Sequence, residues 1–429
     1  MEILLSLSIA LLAGLLLSRL AKIAKLPAVT AYLVAGILIG PFCLGAFGVK
    51  GLGFTSLQNV KSFSLLCDIA LGFIAFSIGN EFRLSDLKKI GKQATIVGIF
   101  QAVVATLLVD IALIALHFAM PDKLPLPAAI TLGAIASATA PAATLMVVKQ
   151  YKAKGPLTNM LLPVVALDDA VGLVLFSISF GIAKALQVGA IDVVSIIVEP
   201  LLEVSLSLAL GAIMGGLFSL CERFFHSRSK RLSVSVAFVL LTIALSMLKF
   251  EIGGVHIGFS SLLVCMMLGT IFCNVCDFSE ELMDRIDRWT APLFILFFVL
   301  SGAELDLSVF TDVMIMLIGV VYILARSAGK YTGAYASAKF TKCDDNIVKY
   351  LGVTLLPQAG VALGMALKSA ELGADGAIVA NITLFAVLIY ELIGPLLTKI
   401  ALTKAGDINP EGKTSARHEH AQKMAQTKQ

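Results

Sequence analysis

Apolar stretches about twenty residues long constrain this chain more than any other feature, because a helix of that length crosses the hydrocarbon layer of a bilayer. Thirteen are predicted, at 3–19, 27–45, 62–80, 94–118, 125–148, 158–186, 191–221, 232–250, 255–274, 290–303, 310–338, 347–370 and 377–403. Composition agrees. Hydrophobic residues make up 58% of the 429 and charged residues 14%, against roughly 45–50% and about 25% in a soluble domain. A soluble globular protein is excluded, as are disordered, collagenous and disulfide-stapled chains. The fold class is therefore an all-α polytopic membrane protein of about 13 transmembrane helices. Residues 1–405 form the membrane domain and 406–429 a polar cytoplasmic tail. No enzyme is expected. Span 1 follows Met1-Glu2 without a basic stretch, so it is expected to be retained rather than cleaved.

Lysine and arginine set the orientation. With the C-terminus in the cytoplasm, alternate loops and the tail hold 25 basic residues on the cytoplasmic side and 6 on the other. The N-terminus is then outside. The net charge of +4 comes from loops facing anionic lipid and does not suggest nucleic acid. Only Arg326 and Lys330 fall outside this scheme. Both lie inside span 11.

Span 3 ends Gly79-Asn80-Glu81-Phe82-Arg83-Leu84-Ser85, and span 10 ends Gly302-Ala303-Glu304-Leu305-Asp306-Leu307-Ser308. Both read G-x-E-x-x-L-S. Gly40 and Gly269 stand near the ends of the preceding spans. Spans 1–6 and 8–13 are thus expected to be two six-helix repeats of opposite orientation, joined by span 7, an arrangement that recurs in secondary transporters. Equivalent spans 5 and 12 each carry a proline among small and polar residues: Ser137-Ala138-Thr139-Ala140-Pro141 and Leu356-Pro357-Gln358-Ala359-Gly360. Proline removes a backbone donor and crowds the preceding turn, so two broken helices are predicted. Freed backbone groups at that depth need protein or a watery cavity around them, which marks a binding site.

Ionisable groups inside a membrane are costly and usually functional. The strongest signal is Asp168-Asp169 in the middle of span 6. Helix neighbours point about 100° apart, so one carboxylate can hold a cation while the other pairs with a base. Two adjacent negative charges in low dielectric also repel, which favours taking up a proton. Lys330 and Arg326 are four apart and share a helix face. Lys330 is a partner for one aspartate. Arg326 suits a fixed pair, with Glu391 in span 13 as the candidate acid. Asp68 and Asp110 read as polar contacts or pore-entrance residues, and Glu199 and Glu203 as interfacial. The lone pair Cys273 and Cys276 is too little for a zinc site. His418-Glu419-His420 reads as solvated tail.

The run Leu26-Pro27-Ala28-Val29-Thr30-Ala31-Tyr32 through Gly40-Pro41, the Thr139/Pro141 break, Asp168-Asp169 and Arg326-x-x-x-Lys330 together resemble the cation:proton antiporter-2 family. The likeness is to its NapA-type bacterial sodium/proton antiporters. The resemblance implies a NapA/NhaA-like fold and a homodimer in a bacterial inner membrane. It implies a scaffold (about 3–80 and 232–303), a moving core (about 94–186 and 310–403) and a linker span (about 191–221). The core would slide as an elevator and serve pH homeostasis. Asp169 resembles the ion-binding aspartate, which would hold Na⁺. Asp168 resembles the aspartate that pairs with Lys330. Thr139 stands where the family places polar ligands, with Ser137, Pro141 and Gln358 beside the two breaks and Arg326 and Glu391 in support. One departure is Ala140, where some relatives in the wider superfamily carry an acid. No G-x-G-x-x-G follows a strand, so the nucleotide-binding domain of potassium-efflux relatives is not expected.

The expected activity is electrogenic exchange of Na⁺ for H⁺, with membrane lipid as surroundings and no resident cofactor. Li⁺ and K⁺ are alternative substrates. An uncoupled ion conduit and a Na⁺-coupled organic-anion symporter are the rival readings. An intramembrane aspartyl protease needs aspartates on facing helices, which adjacent residues on one helix cannot supply.

Overall fold

The computed structural model describes residues 2–408, apart from positions 25, 50, 51, 81, 189–197, 253, 254, 277, 278, 306, 308, 309 and 311. Tail residues 409–429, with His418-Glu419-His420, lie outside the described residues. So do Glu81 and Asp306 of the repeated motif and the start of the 191–221 stretch. The described chain is almost wholly helical. In order it forms α1 (Glu2–Ile23), α2 (Ala28–Ile39), α3 (Leu57–Lys61), α4 (Ser64–Asn80), α5 (Leu84–Ala119), α6 (Leu126–Ile135), α7 (Pro141–Tyr151) and α8 (Pro156–Val188). Then come α9 (Glu199–Glu222), α10 (Arg228–Ser246), α11 (Ser261–Val275), α12 (Ser279–Glu304), α13 (Val313–Phe340), α14 (Asp345–Thr354), α15 (Gly360–Lys368) and α16 (Ala374–Lys404). Among the described residues, 9 helices are long and apolar enough to cross a membrane, and three shorter apolar helices accompany them. The chain is a multi-pass membrane protein.

Two departures from the predicted stretches have local causes. The stretch predicted from 255 opens instead as an antiparallel hairpin, β1 (Phe250–Ile252) and β2 (Val255–Ile257). The helix waits until Ser260, whose side chain accepts from Leu263 N–H and caps α11. The stretch predicted at 290–303 belongs to a helix that starts at Ser279. Its first half carries Asp284 and Asp287, which line a cavity and make that half too polar to read as an apolar span.

Three buried clusters organise the packing. The largest joins α1, α2, α4 and α9–α12 with one face of α7 and α8. The second gathers α5, α6, α8, α13, α15 and α16, and the third gathers the starts of α5 and α8, the ends of α7 and α13, and α14. Two helix crossings in the first cluster are backbone-tight. At α2 on α12, a Cβ on Gly36 would sit 2.0 Å from Val299 O, and one on Gly302 would sit 2.2 Å from Leu33 O. At α4 on α11, a Cβ on Gly79 would sit 1.9 Å from Met266 O, and one on Gly269 would sit 2.2 Å from Phe76 O. Only glycine permits this approach, and small residues are what let membrane helices touch closely.

Candidate functional site

Each predicted break is present. Residues 136–140 separate α6 from α7, with Pro141 opening α7 where its missing N–H costs nothing. Residues 355–359 separate α14 from α15, with Pro357 inside the gap. The two gaps meet: Ala140 N–H donates to Pro357 O at 2.8 Å. Crossed half-helices leave carbonyls with no partner in their own helix. The helix ends of α6 and α14 also carry partial negative charge.

Arg326 and Lys330 of α13 meet that demand. Arg326 donates to Ala136 O (3.0 Å), Ala138 O (2.6 Å) and Leu356 O (2.7 Å), tying both gaps to one planar fork. Its guanidinium lies over the Tyr390 ring, 4.5 Å from the centroid. The pairing of Arg326 with Glu391 read from the sequence is not formed. The guanidinium is filled by backbone oxygens, and Glu391, on α16, is buried with no partner for Oε2 among the described residues. Gln358 closes the second gap by donating to Ile135 O at 2.9 Å and meeting the Tyr322 hydroxyl.

Lys330 Nζ lies 2.9 Å from Asp168 Oδ2, and both side chains are fully buried. The ammonium also donates to Ser137 O (2.5 Å) and Thr139 Oγ1 (2.9 Å). Thr139 in turn donates to Asp168 Oδ2 at 2.5 Å. The Ser137 hydroxyl turns back to Ala134 O, so Ser137 serves the site through its backbone. Gln101 of α5 donates to Asp168 Oδ1 and Gly98 O. The sequence reading missed Gln101. Its signal, an amide in an apolar span, is weaker than a charge. Asp168 is thus saturated. A buried ion pair survives only when its remaining polar atoms are satisfied in this way.

Asp169 is the opposite case. It is 2% exposed, yet neither carboxylate oxygen has a hydrogen-bond partner among the described residues. Buried polar atoms are normally satisfied, so this carboxylate is built for a ligand the chain does not supply. Asn159, Leu162, Ala166 and Asp169 recur at helical spacing on α8. The first two line a cavity of about 890 Å³ between α7 and α8 on one side and α2 and α12 on the other, with Tyr32, Lys149 and Asp287 in its wall. Asp169 therefore lies about 10 Å deeper along the cavity-facing stripe of α8. Asp110 packs on α6, where Gly133 leaves room for its carboxylate. Asp68 is exposed, and Glu199 and Glu203 are half-buried. None of the four joins the hydrogen bonds described here.

A polytopic helical membrane protein whose two broken helices cross beside a buried, unpartnered carboxylate belongs to the class that moves ions through half-helix sites. The chain belongs to the transmembrane sodium/hydrogen exchanger family, whose model matches residues 7–404. It is 24% identical over 410 residues to the Na(+)/H(+) antiporter NhaS4 of Synechocystis sp., covering 93% of this chain and 96% of that protein. Its fold is similar to that of the sodium proton antiporter MjNhaP1 of Methanocaldococcus jannaschii. One structure of that protein has a TM-score of 0.64 at 22% identity, another 0.68 at 19%, each covering 95% of this chain and 97% of the other. The solved neighbours carry the NhaP designation, so the narrower NapA-type likeness rests on the sequence motifs alone.

Proposed function

We propose that this protein exchanges a monovalent cation, Na⁺ foremost, for protons across a bacterial inner membrane. One observation carries the reading: Asp169 is buried on α8 about 10 Å beyond the cavity-lining Leu162, has no hydrogen-bond partner among the described residues, and stands beside an Asp168–Lys330 pair that is hydrogen-bonded on every side. A single free carboxylate with hydroxyl and broken-helix carbonyl oxygens nearby is a suitable set for a hard monovalent cation. Na⁺ entering from the cavity binds Asp169. Thr139 joins as a ligand only when Lys330 and Asp168 release its hydroxyl. Protons arriving from the other side bind to the aspartate pair or to Lys330, and Na⁺ departs. Two protons per Na⁺ make the cycle electrogenic, so a membrane potential contributes about 2.3 kcal/mol per 100 mV.

The carrier is read as 13 spans in two inverted repeats, with a NapA-type division into scaffold and core and an elevator motion. Packing supports this. The α2–α12 and α4–α11 glycine crossings exchange with each other when the two halves are exchanged. α5 packs on α13, its counterpart. The G-x-E-x-x-L-S motif and the paired breaks follow the same correspondence. A homodimer with the N-terminus outside and the C-terminus in the cytoplasm completes the reading, with pH homeostasis as its role.

The test uses purified protein in liposomes with a trapped pH dye and an imposed proton gradient. Added NaCl, LiCl or KCl is expected to release protons, with Na⁺ strongest, and Asp169→Asn is expected to abolish the response. Proton release by no cation, with folded protein, overturns exchange and favours a conduit or an organic-anion symporter. A response led by K⁺ changes the substrate and keeps the site.

A further inference from the structure

The last turn of α7 is Lys149-Gln150-Tyr151, and all three side chains reach across to the α2–α12 side of the cavity. Lys149 Nζ lies 2.5 Å from Asp287 Oδ1 on α12, and the Ser77 hydroxyl of α4 donates to the same oxygen at 3.4 Å. Gln150 Oε1 accepts from the N–H of Ala28, the first residue of α2, at 2.8 Å. That N–H is an orphan of the helix start, and Pro27 supplies no side-chain cap. Gln150 therefore caps α2 from another helix. The Tyr151 hydroxyl donates to Leu26 O at 3.5 Å. Lys152 then ends α7 in a left-handed conformation, φ 49°, which fixes where this turn stops.

The position of these contacts gives them meaning. α7 begins at Pro141, immediately after the gap that holds Thr139 and meets Pro357. Its other end grips α2 and α12. Eleven residues thus connect the ion-site gap to the opposite wall of the cavity. A shift of one helical turn, about 5.4 Å, breaks all three contacts. Lys149 and Asp287 are 22% and 35% exposed, so water replaces their pair at modest cost. The contacts bias a position without freezing it.

We propose that Lys149 and Gln150, with Asp287 and the start of α2, form a cytoplasmic latch that holds the core in the inward-facing position. Lys149 and Asp287 are then positioning residues, which set the balance between inward-facing and outward-facing states without touching the cation. The latch rests on the moving core of the proposed function.

The test compares wild type, Lys149→Gln, Asp287→Asn and the exchanged pair Lys149→Asp/Asp287→Lys in proteoliposomes. Each also carries Leu162→Cys, in a background with the native cysteines replaced, as a reporter of the cytoplasmic cavity. Each single variant is expected to slow labelling of the reporter by a membrane-impermeant thiol reagent measurably, by up to about fivefold, the ceiling that one half-exposed ion pair sets on the shift in population. The half-saturating cation concentration rises by a similar factor. The exchanged pair restores both, which a merely structural role does not explain. Labelling and half-saturation at wild-type values in both single variants overturns the latch, as does equal damage in the exchanged pair. Should the single variants fold poorly, Lys149→Cys/Asp287→Cys replaces them. Exchange is expected to stop on oxidation and return on reduction, and exchange that continues after complete cross-linking overturns the latch. A wild type that moves no protons in response to cations refutes the proposed function instead, and the labelling ratios still judge the latch.

Discussion

Arg326 and Lys330 stand one turn apart on α13, yet they are held by different chemistry. Lys330 is held by a carboxylate, a hydroxyl and one carbonyl. Arg326 is held by three carbonyls and an aromatic face. A guanidinium fork matches three oxygens at fixed spacing, which an ammonium cannot do. Arg326→Met leaves these carbonyls without their charged donor, at about 1–3 kcal/mol each. A melting temperature in detergent many degrees below wild type is expected, with Arg326→Lys between the two. Glu391→Gln is expected not to lower it, because no ion pair with Arg326 is lost. A large drop for Glu391→Gln contradicts the contacts seen here. The sequence pointed to Asp168, Asp169, Arg326, Lys330 and Glu391, because charge inside an apolar run is conspicuous. It could not tell which partner Arg326 takes, since backbone carbonyls leave no mark in a sequence. Gln101 escaped notice for a related reason: it is neutral and ranks below any charge.

Helix α8 carries the two aspartates, and its N-terminal start is pinned from the far end of the chain. Asp407, just beyond α16, accepts from Thr158 N–H (2.6 Å) and Thr158 Oγ1 (2.7 Å). Its own carbonyl accepts from Lys154 N–H at 2.9 Å. This is an N-cap supplied across 249 residues, in place of the usual local Ser, Thr or Asp. A Cβ on Gly155 would sit 2.1 Å from Asp407 Oδ1, so the neighbouring glycine makes the room. Asp407→Ala is expected to cost about 1 kcal/mol of stability, as lost caps do, and Asp407→Asn less. Thermal unfolding followed by intrinsic fluorescence checks it, and equal melting temperatures for all three proteins would show that the cap carries no stability. The helix breaks at 136–140 and 355–359 were legible from Pro141 and Pro357, since proline acts on its own turn. The Asp407 cap was not, because nothing in the sequence says that residues 158 and 407 meet.

For the whole molecule, the orientation proposed from basic residues has a direct check. In a cysteine-free background, Lys152→Cys is expected to react with an impermeant maleimide only from the cytoplasmic side, and Lys123→Cys only from outside. Both lysines are exposed, so access reports sidedness rather than burial. Labelling of both from the same side contradicts the span alternation. The sequence by itself determined that this chain lives in a bilayer, roughly where its helices run, where two of them break, and which charges lie at depth. Each of these follows from short-range physics: transfer of apolar runs out of water, the geometry of proline, and the cost of charge in hydrocarbon. Only the tertiary structure decided that the two breaks meet, that both Asp168 oxygens are hydrogen-bonded while Asp169 has no partner among the described residues, and that α7 grips the opposite wall of the cavity. Those outcomes depend on which distant backbone and side-chain atoms pack within hydrogen-bond reach, and local sequence pattern carries no record of that.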